Sequence, residues 1–231
     1  MIATTVTLDW QEIGALLYFS LCWVGYAIYS RQEAMHKTSL LAVTNRYRHQ
    51  WMREMLRRDN RSIDAIVIGN LMRSITFTAN TTIFIVAGLL GVLTYHQEIS
   101  ALIQFIPYAK PITAAAWEMK VFVLIVIFIY AYFKYTWSLR QLNYSSIFVA
   151  SCPAHNDRLE DHEQIAVKGA FIGSNAAEHF NNGQRAYYFG MATLAWFIHP
   201  YLFIASTTLV LYVLHRREFR SATLKNLLTS V

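Results

Sequence analysis

The chain has 231 residues, 55% hydrophobic and only 15% charged, with a mean hydropathy of +0.29. Soluble domains carry roughly a quarter charged residues, so an ordinary soluble domain, a disordered tail and a nucleic-acid-binding arm are all poor descriptions. Nine Gly and four Pro rule out low-complexity repeats, and two Cys cannot build a disulfide framework. The net charge of +6 is informative mainly through its placement.

A helix crossing a hydrocarbon core of about 30 Å needs roughly 20 mostly apolar residues. Four segments meet or approach this, at about 11–29, 65–95, 117–137 and 187–214. The first has Trp10, Trp23, Tyr26 and Tyr29 near its ends. No basic residue precedes Arg31, so it reads as a retained helix rather than a cleaved signal. The second belongs to a pattern from Ile63 to Tyr95, roughly 50 Å long at 1.5 Å per residue. That exceeds the core, so its first half, with Asn70, Arg73 and Asn80, projects from the membrane or packs inside a bundle. The third is bracketed by Trp117 and Trp137, with Glu118 and Lys120 at its outer end and Lys134 at its inner end as interfacial anchors. The fourth contains no Asp, Glu, Lys or Arg, and Pro200 is expected to kink it.

Two segments between the spans, about 31–62 and 138–186, are expected in the cytoplasm. Between Arg31 and Arg61 there are eight basic residues and three acidic ones. The positive-inside rule then places the N-terminus outside, in a bacterial inner membrane. Four spans would return the C-terminus to the outside, yet the tail carries Arg216, Arg217, Arg220 and Lys225. A fifth membrane-associated stretch between Leu139 and Phe180 would remove that conflict; four spans are the favoured count.

Residues 40–58 place Leu40, Val43, Tyr47, Trp51 and Met55 opposite Arg46, Arg53 and Arg57. This basic amphipathic pattern either rests on anionic lipid head groups or packs on its own bundle. Nucleic acid is not an expected partner. In the second segment, His155, Asp157, Asp161 and His162 offer metal-ligating side chains. Their spacing matches no established ligand motif, and Asp157 with Glu160 makes a capping box, the preferred reading.

Polar groups inside spans are usually functional or paired. Arg73 needs a partner or a polar cavity. Asn80, Thr81, Thr82 and His199 can line a polar path, with His199 placed near mid-depth of the fourth span. His96, the other candidate axial histidine, lies at a different depth, so a bis-histidine haem fits poorly. Ala87, Gly88 and Gly91 permit close helix approach. Cys22 and Cys152 are expected as separate, unreactive thiols. No Gly-rich phosphate loop, nucleophile elbow or zinc-protease motif is present, which weighs against a standard enzyme. No cofactor is expected, whereas lipid is.

Several strings recur together: Asn45 to Trp51 (NRYRHQW), Arg73-Ser74-Ile75, Asn80-Thr81-Thr82, Arg140-Gln141-Leu142-Asn143, Asn182 to Tyr188 (NGQRAYY) and Trp196 to Pro200 (WFIHP). On these strings the chain resembles a family of small four-span membrane proteins of bacteria and plants, a domain of unknown function, over residues 10 to 215. The resemblance singles out Arg73, Arg140, Asn143, Asn182, Gly183, Arg185, Trp196 and Pro200. It implies a small residue before the proline, where this chain has His199. In a four-span arrangement Arg73, Arg140, Asn143, Asn182 and Arg185 gather toward the cytoplasmic side. There they bind an anion or phosphate head group, or pair with Glu178 and the acids at 157–163 to hold loops.

The expected fold is an all-α polytopic membrane helix bundle, one domain over residues 1–231, with four transmembrane helices plus one or two cytoplasmic amphipathic helices. The leading expectation for function is an accessory subunit or homo-oligomeric scaffold, associating with its own copies or other membrane subunits. The alternatives are a small ion or anion channel or transporter with an Arg/Asn-lined path, and a metal- or haem-binding membrane protein.

Overall fold

The computed structural model describes residues 9–35, 39–95, 98, 105, 113–152 and 159–229. Among them every regular element is helical: α1 (Trp10–Met35), α2 (Leu40–Leu56), α3 (Ser62–Val92), α4 (Ala114–Ser151), α5 (Leu159–Leu194), α6 (Pro200–Phe219) and α7 (Ala222–Thr229). Short 3-10 turns follow α3 and α5, at Leu93–Tyr95 and Ala195–Phe197. Ser39 and Thr113 start α2 and α4 by accepting the backbone N–H groups of Ala42 and Ala116, which would otherwise lack partners.

Three stretches are long and apolar enough to cross a membrane: Trp10–Gln32, Ser62–Tyr95 and Ala114–Ser151. The expected fourth span, 187–214, is not one kinked helix. α5 ends at Leu194, and His199 is extended at φ −159° and ψ 139°, before α6 begins on Pro200. Proline lacks an N–H and pushes the residue before it out of the helical region, so a helix stops here and another starts. The His199 Nδ1 accepts the Tyr201 N–H at 3.2 Å and caps the new helix. Ser206 Oγ donates to the Ala192 carbonyl at 3.0 Å, Trp196 stacks on Phe203, and Arg217 lies over Tyr188. Those pairs run in opposite order along the two helices, so α5 and α6 form an antiparallel hairpin.

Five long helices therefore run between two ends. Ser138 Oγ donates to the Ala176 carbonyl at 2.6 Å while Lys120 reaches Trp196, which makes α4 antiparallel to α5. Phe19 meets Phe203 and Tyr29 meets Phe219, so α1 runs parallel to α6. Ile68 clusters with Val149 while Leu93 packs by Trp117, so α3 opposes α4. With five long helices running between the two ends, the C-terminus returns to the end that holds α2. There Glu218 Oε1 accepts the Leu41 N–H at 3.3 Å, and α7 packs on α2. The two clusters of basic residues therefore share one end of the bundle.

α4 and α5 continue through most of the segment 138–186. α5 is the most enclosed helix: from Ile172 to Gly190 no residue is exposed, although the stretch includes Asn175, Glu178, His179, Asn181, Asn182, Gln184 and Arg185. It packs directly on α4, α2 and α6, while α1 packs on α6 and α3 on α4. Gly183 permits the close approach to α4, since a Cβ there would sit 2.6 Å from the Tyr135 ring. α2 buries Leu41, Ala42, Val43, Met52, Met55 and Leu56, a face rotated from the expected one, and leaves Tyr47 partly exposed. The rotation follows from Trp51, whose Nε1 donates to Asp64 at 2.6 Å and fixes the corner between α2 and α3.

Candidate functional site

At the basic end the helices surround a half-open cavity of about 640 Å³. Helical periodicity supplies its walls. Leu41, Thr44 and Arg48 follow one another at three- and four-residue spacing on α2, as do Ala177, Asn181, Gln184, Arg185 and Tyr188 on α5 and Leu214, Arg217 and Glu218 on α6. Tyr26 of α1 and Leu142 of α4 complete the inner wall, and Leu71, Ser74 and Ile75 of α3 form the outer one. α3 packs chiefly on α4 and reaches α5 through side chains, as where the Thr82 hydroxyl meets that of Tyr187. Leu71 and Ser74 are also exposed on the outer surface.

The cavity is cationic. Arg185, only 9% exposed, donates to Asn182 Oδ1 at 3.1 Å and lies 5.4 Å from the Tyr26 ring centroid. Its Nη2 is 3.8 Å from Glu218 Oε2, an ion pair too long for a hydrogen bond. Arg48 donates to Asn45 Oδ1 at 2.6 Å and Thr44 Oγ1 at 3.3 Å, both neutral acceptors. Burial pushes the Arg48 guanidinium below the usual arginine range. Arg217 lies 5.5 Å from the Tyr188 ring centroid and donates to its hydroxyl. Three guanidiniums thus face a single carboxylate, Glu218. Planar guanidinium forks held by neutral partners keep N–H donors available for carboxylate or phosphate oxygens.

The family described as "Protein of unknown function, DUF599" matches residues 14–223. The chain belongs to that family. No curated protein and no solved structure matches the chain. The DUF599 match runs from α1 into α7 and includes every residue that lines the cavity.

Of the residues singled out in the sequence, Arg185 lines the cavity and Asn182 holds it from behind by accepting its hydrogen bond. Arg73, Arg140 and Asn143 do not join them: all three are exposed on the outer faces of α3 and α4. Arg73 donates to Asn70 Oδ1, and Arg140 Nε donates to the Tyr144 hydroxyl at 3.0 Å. Asn80 is exposed, and Thr81 returns its hydroxyl proton to the Phe77 carbonyl. Thr82 is buried, with its hydroxyl 2.5 Å from that of Tyr187. His199 sits at the chain reversal, at the end opposite the cavity, because the expected fourth span folds back there.

Lys120 is not an interfacial anchor; it is buried beneath the reversal at 2% exposure. His96, His155 and Asp157 lie outside the described residues, as does the Asp161 side chain. His162 is described, and its Nε2 is buried without a hydrogen-bond partner among the described residues. Among those residues no group of three His, Cys, Asp or Glu side chains is placed to hold a metal. Sequence reasoning passed over Arg48, Arg217 and Glu218 as site residues. The available signal was the shared face of Leu41, Thr44 and Arg48, hidden because the apolar stripe of α2 was assigned one step round the helix.

Proposed function

We propose that this protein is a polytopic membrane protein that takes up a small anion in the Arg48–Arg185–Arg217 cavity, on the way across or off the membrane. The observation that carries the reading is the excess of positive charge: buried Arg185, half-buried Arg48 and exposed Arg217 stand against Glu218 around a half-open volume of about 640 Å³. Burying unpaired charge is costly, and an anion that takes up the free donors offsets that cost. The loose Arg185–Glu218 pair gives an entering anion a guanidinium to claim without breaking a short bond. Excess Lys and Arg at the cavity end, including Arg46, Arg53, Arg57, Arg216 and Arg220, support a reading in which this end faces the cytoplasm and the N-terminus lies outside. In a bacterial cell this is the inner membrane.

The test is equilibrium binding of chloride, inorganic phosphate and a monocarboxylate to purified protein, followed by flux into liposomes. Binding by the wild type that weakens about tenfold or more in Arg185→Gln and Arg48→Gln supports the cavity, on the scale of one charge-assisted hydrogen bond. Binding of none of these anions, or equal binding by the variants, sinks it.

A second reading, a homo-oligomeric scaffold or accessory subunit, draws on α3. Only 17% of its most apolar window is buried in the monomer, and Gly88 and Gly91 have nothing within 4 Å of a Cβ position. Small residues on an open helix face suit helix–helix packing in lipid. The mass of the gently extracted complex decides it: a bare monomer removes the scaffold, and added copies or other chains support it.

A further inference from the structure

A second groove, of about 670 Å³, lies on the outside of the bundle between α4 and α5, apart from the internal cavity. Tyr130, Phe133, Lys134, Trp137 and Arg140 follow one another along one face of α4, and His179 of α5 faces them. No carboxylate lines the groove. The nearest acid along α5 is Glu178, next to His179 in the chain. Lys134 Nζ lies 5.2 Å from the Tyr130 ring centroid, and the Arg140 guanidinium lies 5.9 Å from that of Trp137. Both cations therefore rest on aromatic faces. His179 turns an edge toward Trp137, and its Nδ1 is buried with no hydrogen-bond partner among the described residues.

The position of the groove adds a second constraint. Trp137 closes the apolar run of α4, and Arg140 lies one turn beyond it. Phe133 and Trp137 remain 64% and 45% exposed, so the aromatic surface faces outward where lipid would be. Aromatic rings followed by basic side chains mark the level at which hydrocarbon gives way to head groups.

We infer that this groove binds an anionic phospholipid, with the phosphodiester held by Lys134, Arg140 and the His179 ring and an acyl chain lying along Phe133 and Tyr130. Ordinary snorkelling anchors would hold any lipid equally; this geometry selects for negative charge.

Native mass spectrometry of the full chain, with phosphatidylglycerol and phosphatidylcholine of identical acyl chains, tests the assignment. The wild type should retain phosphatidylglycerol preferentially. Lys134→Gln with Arg140→Gln should cut that preference by roughly 25-fold, about fivefold per cation, whereas Lys134→Arg with Arg140→Lys should keep it. Should the double variant fail to fold, Arg140→Gln alone reads the same loss at about fivefold. Equal retention of the two lipids, or a preference untouched by the double Gln variant, overturns the inference. Inorganic phosphate at millimolar concentration is the second probe. It should leave the retained phosphatidylglycerol in place, and displacement would assign the groove to a free anion instead. Arg48→Gln and Arg185→Gln should leave the lipid preference unchanged, which keeps this outcome separate from that of the internal cavity.

Discussion

Lys120 of α4 places its ammonium 2.7 Å from the Glu12 carboxylate of α1 and donates to the Trp196 carbonyl at 3.1 Å. The same ammonium lies 5.3 Å from the Trp196 ring centroid. One cation thus joins α1, α4 and the turn that reverses the chain between α5 and α6. Both side chains are largely buried, 2% and 12% exposed, so neither charge has bulk water as an alternative partner.

Removing one member of such a pair strands the other. Lys120→Met is expected to destabilise the protein by about 3–5 kcal/mol, whereas Lys120→Met with Glu12→Gln recovers much of the loss. Thermal unfolding of the four proteins in one detergent closes the cycle. Simple additivity would show that the two side chains are not coupled.

Asp64 is fully buried and accepts from Trp51 Nε1 at 2.6 Å and Arg58 Nη1 at 2.9 Å. It ties α2 to the start of α3, and α2 carries Arg48 into the cavity. Asp64→Ala leaves the indole N–H without its acceptor, an expected cost of about 2–3 kcal/mol. Amide exchange should then accelerate in α2 and the first turns of α3 ahead of the remaining helices. Uniform acceleration across the bundle would contradict a local clamp.

Two glycines of α5 make opposite predictions for the same substitution. At Gly183 an added Cβ meets the Tyr135 ring at 2.6 Å, and Tyr135 is 0% exposed with nowhere to swing. Gly183→Ala is expected to cost about 1–3 kcal/mol by overpacking. At Gly173 the nearest atom is Arg48 Cδ at 3.8 Å, an ordinary contact. There alanine gains up to about 1 kcal/mol in helix propensity. Melting temperatures that fall for the first and hold or rise for the second check the packing of α5 on α4.

Arg53 of α2 grips Glu163 of α5 with two bonds, Nη2 to Oε1 at 2.5 Å and Nε to Oε2 at 2.8 Å. The bond from Arg53 holds the Glu163 carboxyl below the usual carboxylate range. A depressed acid contributes stability that is present above its unfolded pKa, about 4.3, and is lost as pH falls through the folded value. Protection of α2 in hydrogen exchange should therefore hold from neutral pH down to about pH 5 and weaken as the pH falls below about 4.3, and Glu163→Gln should flatten that dependence. The pair is exposed, so the effect should also shrink in high salt.

How much was legible in the residues differs from helix to helix. α1, α3 and α4 announce themselves because each carries a run of apolar side chains long enough to cross a membrane, the pattern a hydrocarbon solvent requires. α5 has no such requirement. Its Asn, Gln and Arg side chains face the interior, so a helix at the centre of the bundle reads as a cytoplasmic connector. The cavity was only half visible for the same reason: Asn182 and Arg185 stood out as a motif, while Arg48 looked like one more surface arginine on a basic helix.

Composition and periodicity by themselves determined that this chain is helical, that at least three of its helices are apolar enough to cross a membrane, and that its positive charge is concentrated in two stretches. Those are local properties, set by the solvent each side chain must meet. Only the tertiary structure decided that the chain turns back at Pro200 and that both basic stretches lie at one end. It also decided that Arg48, Arg185 and Arg217 face one another while Arg73 and Arg140 face outward. A proline states that a helix must stop and leaves the direction of the next one open. That direction is set by packing between helices far apart in sequence, here by Lys120, Glu12 and the Trp196–Phe203 stack beneath the turn.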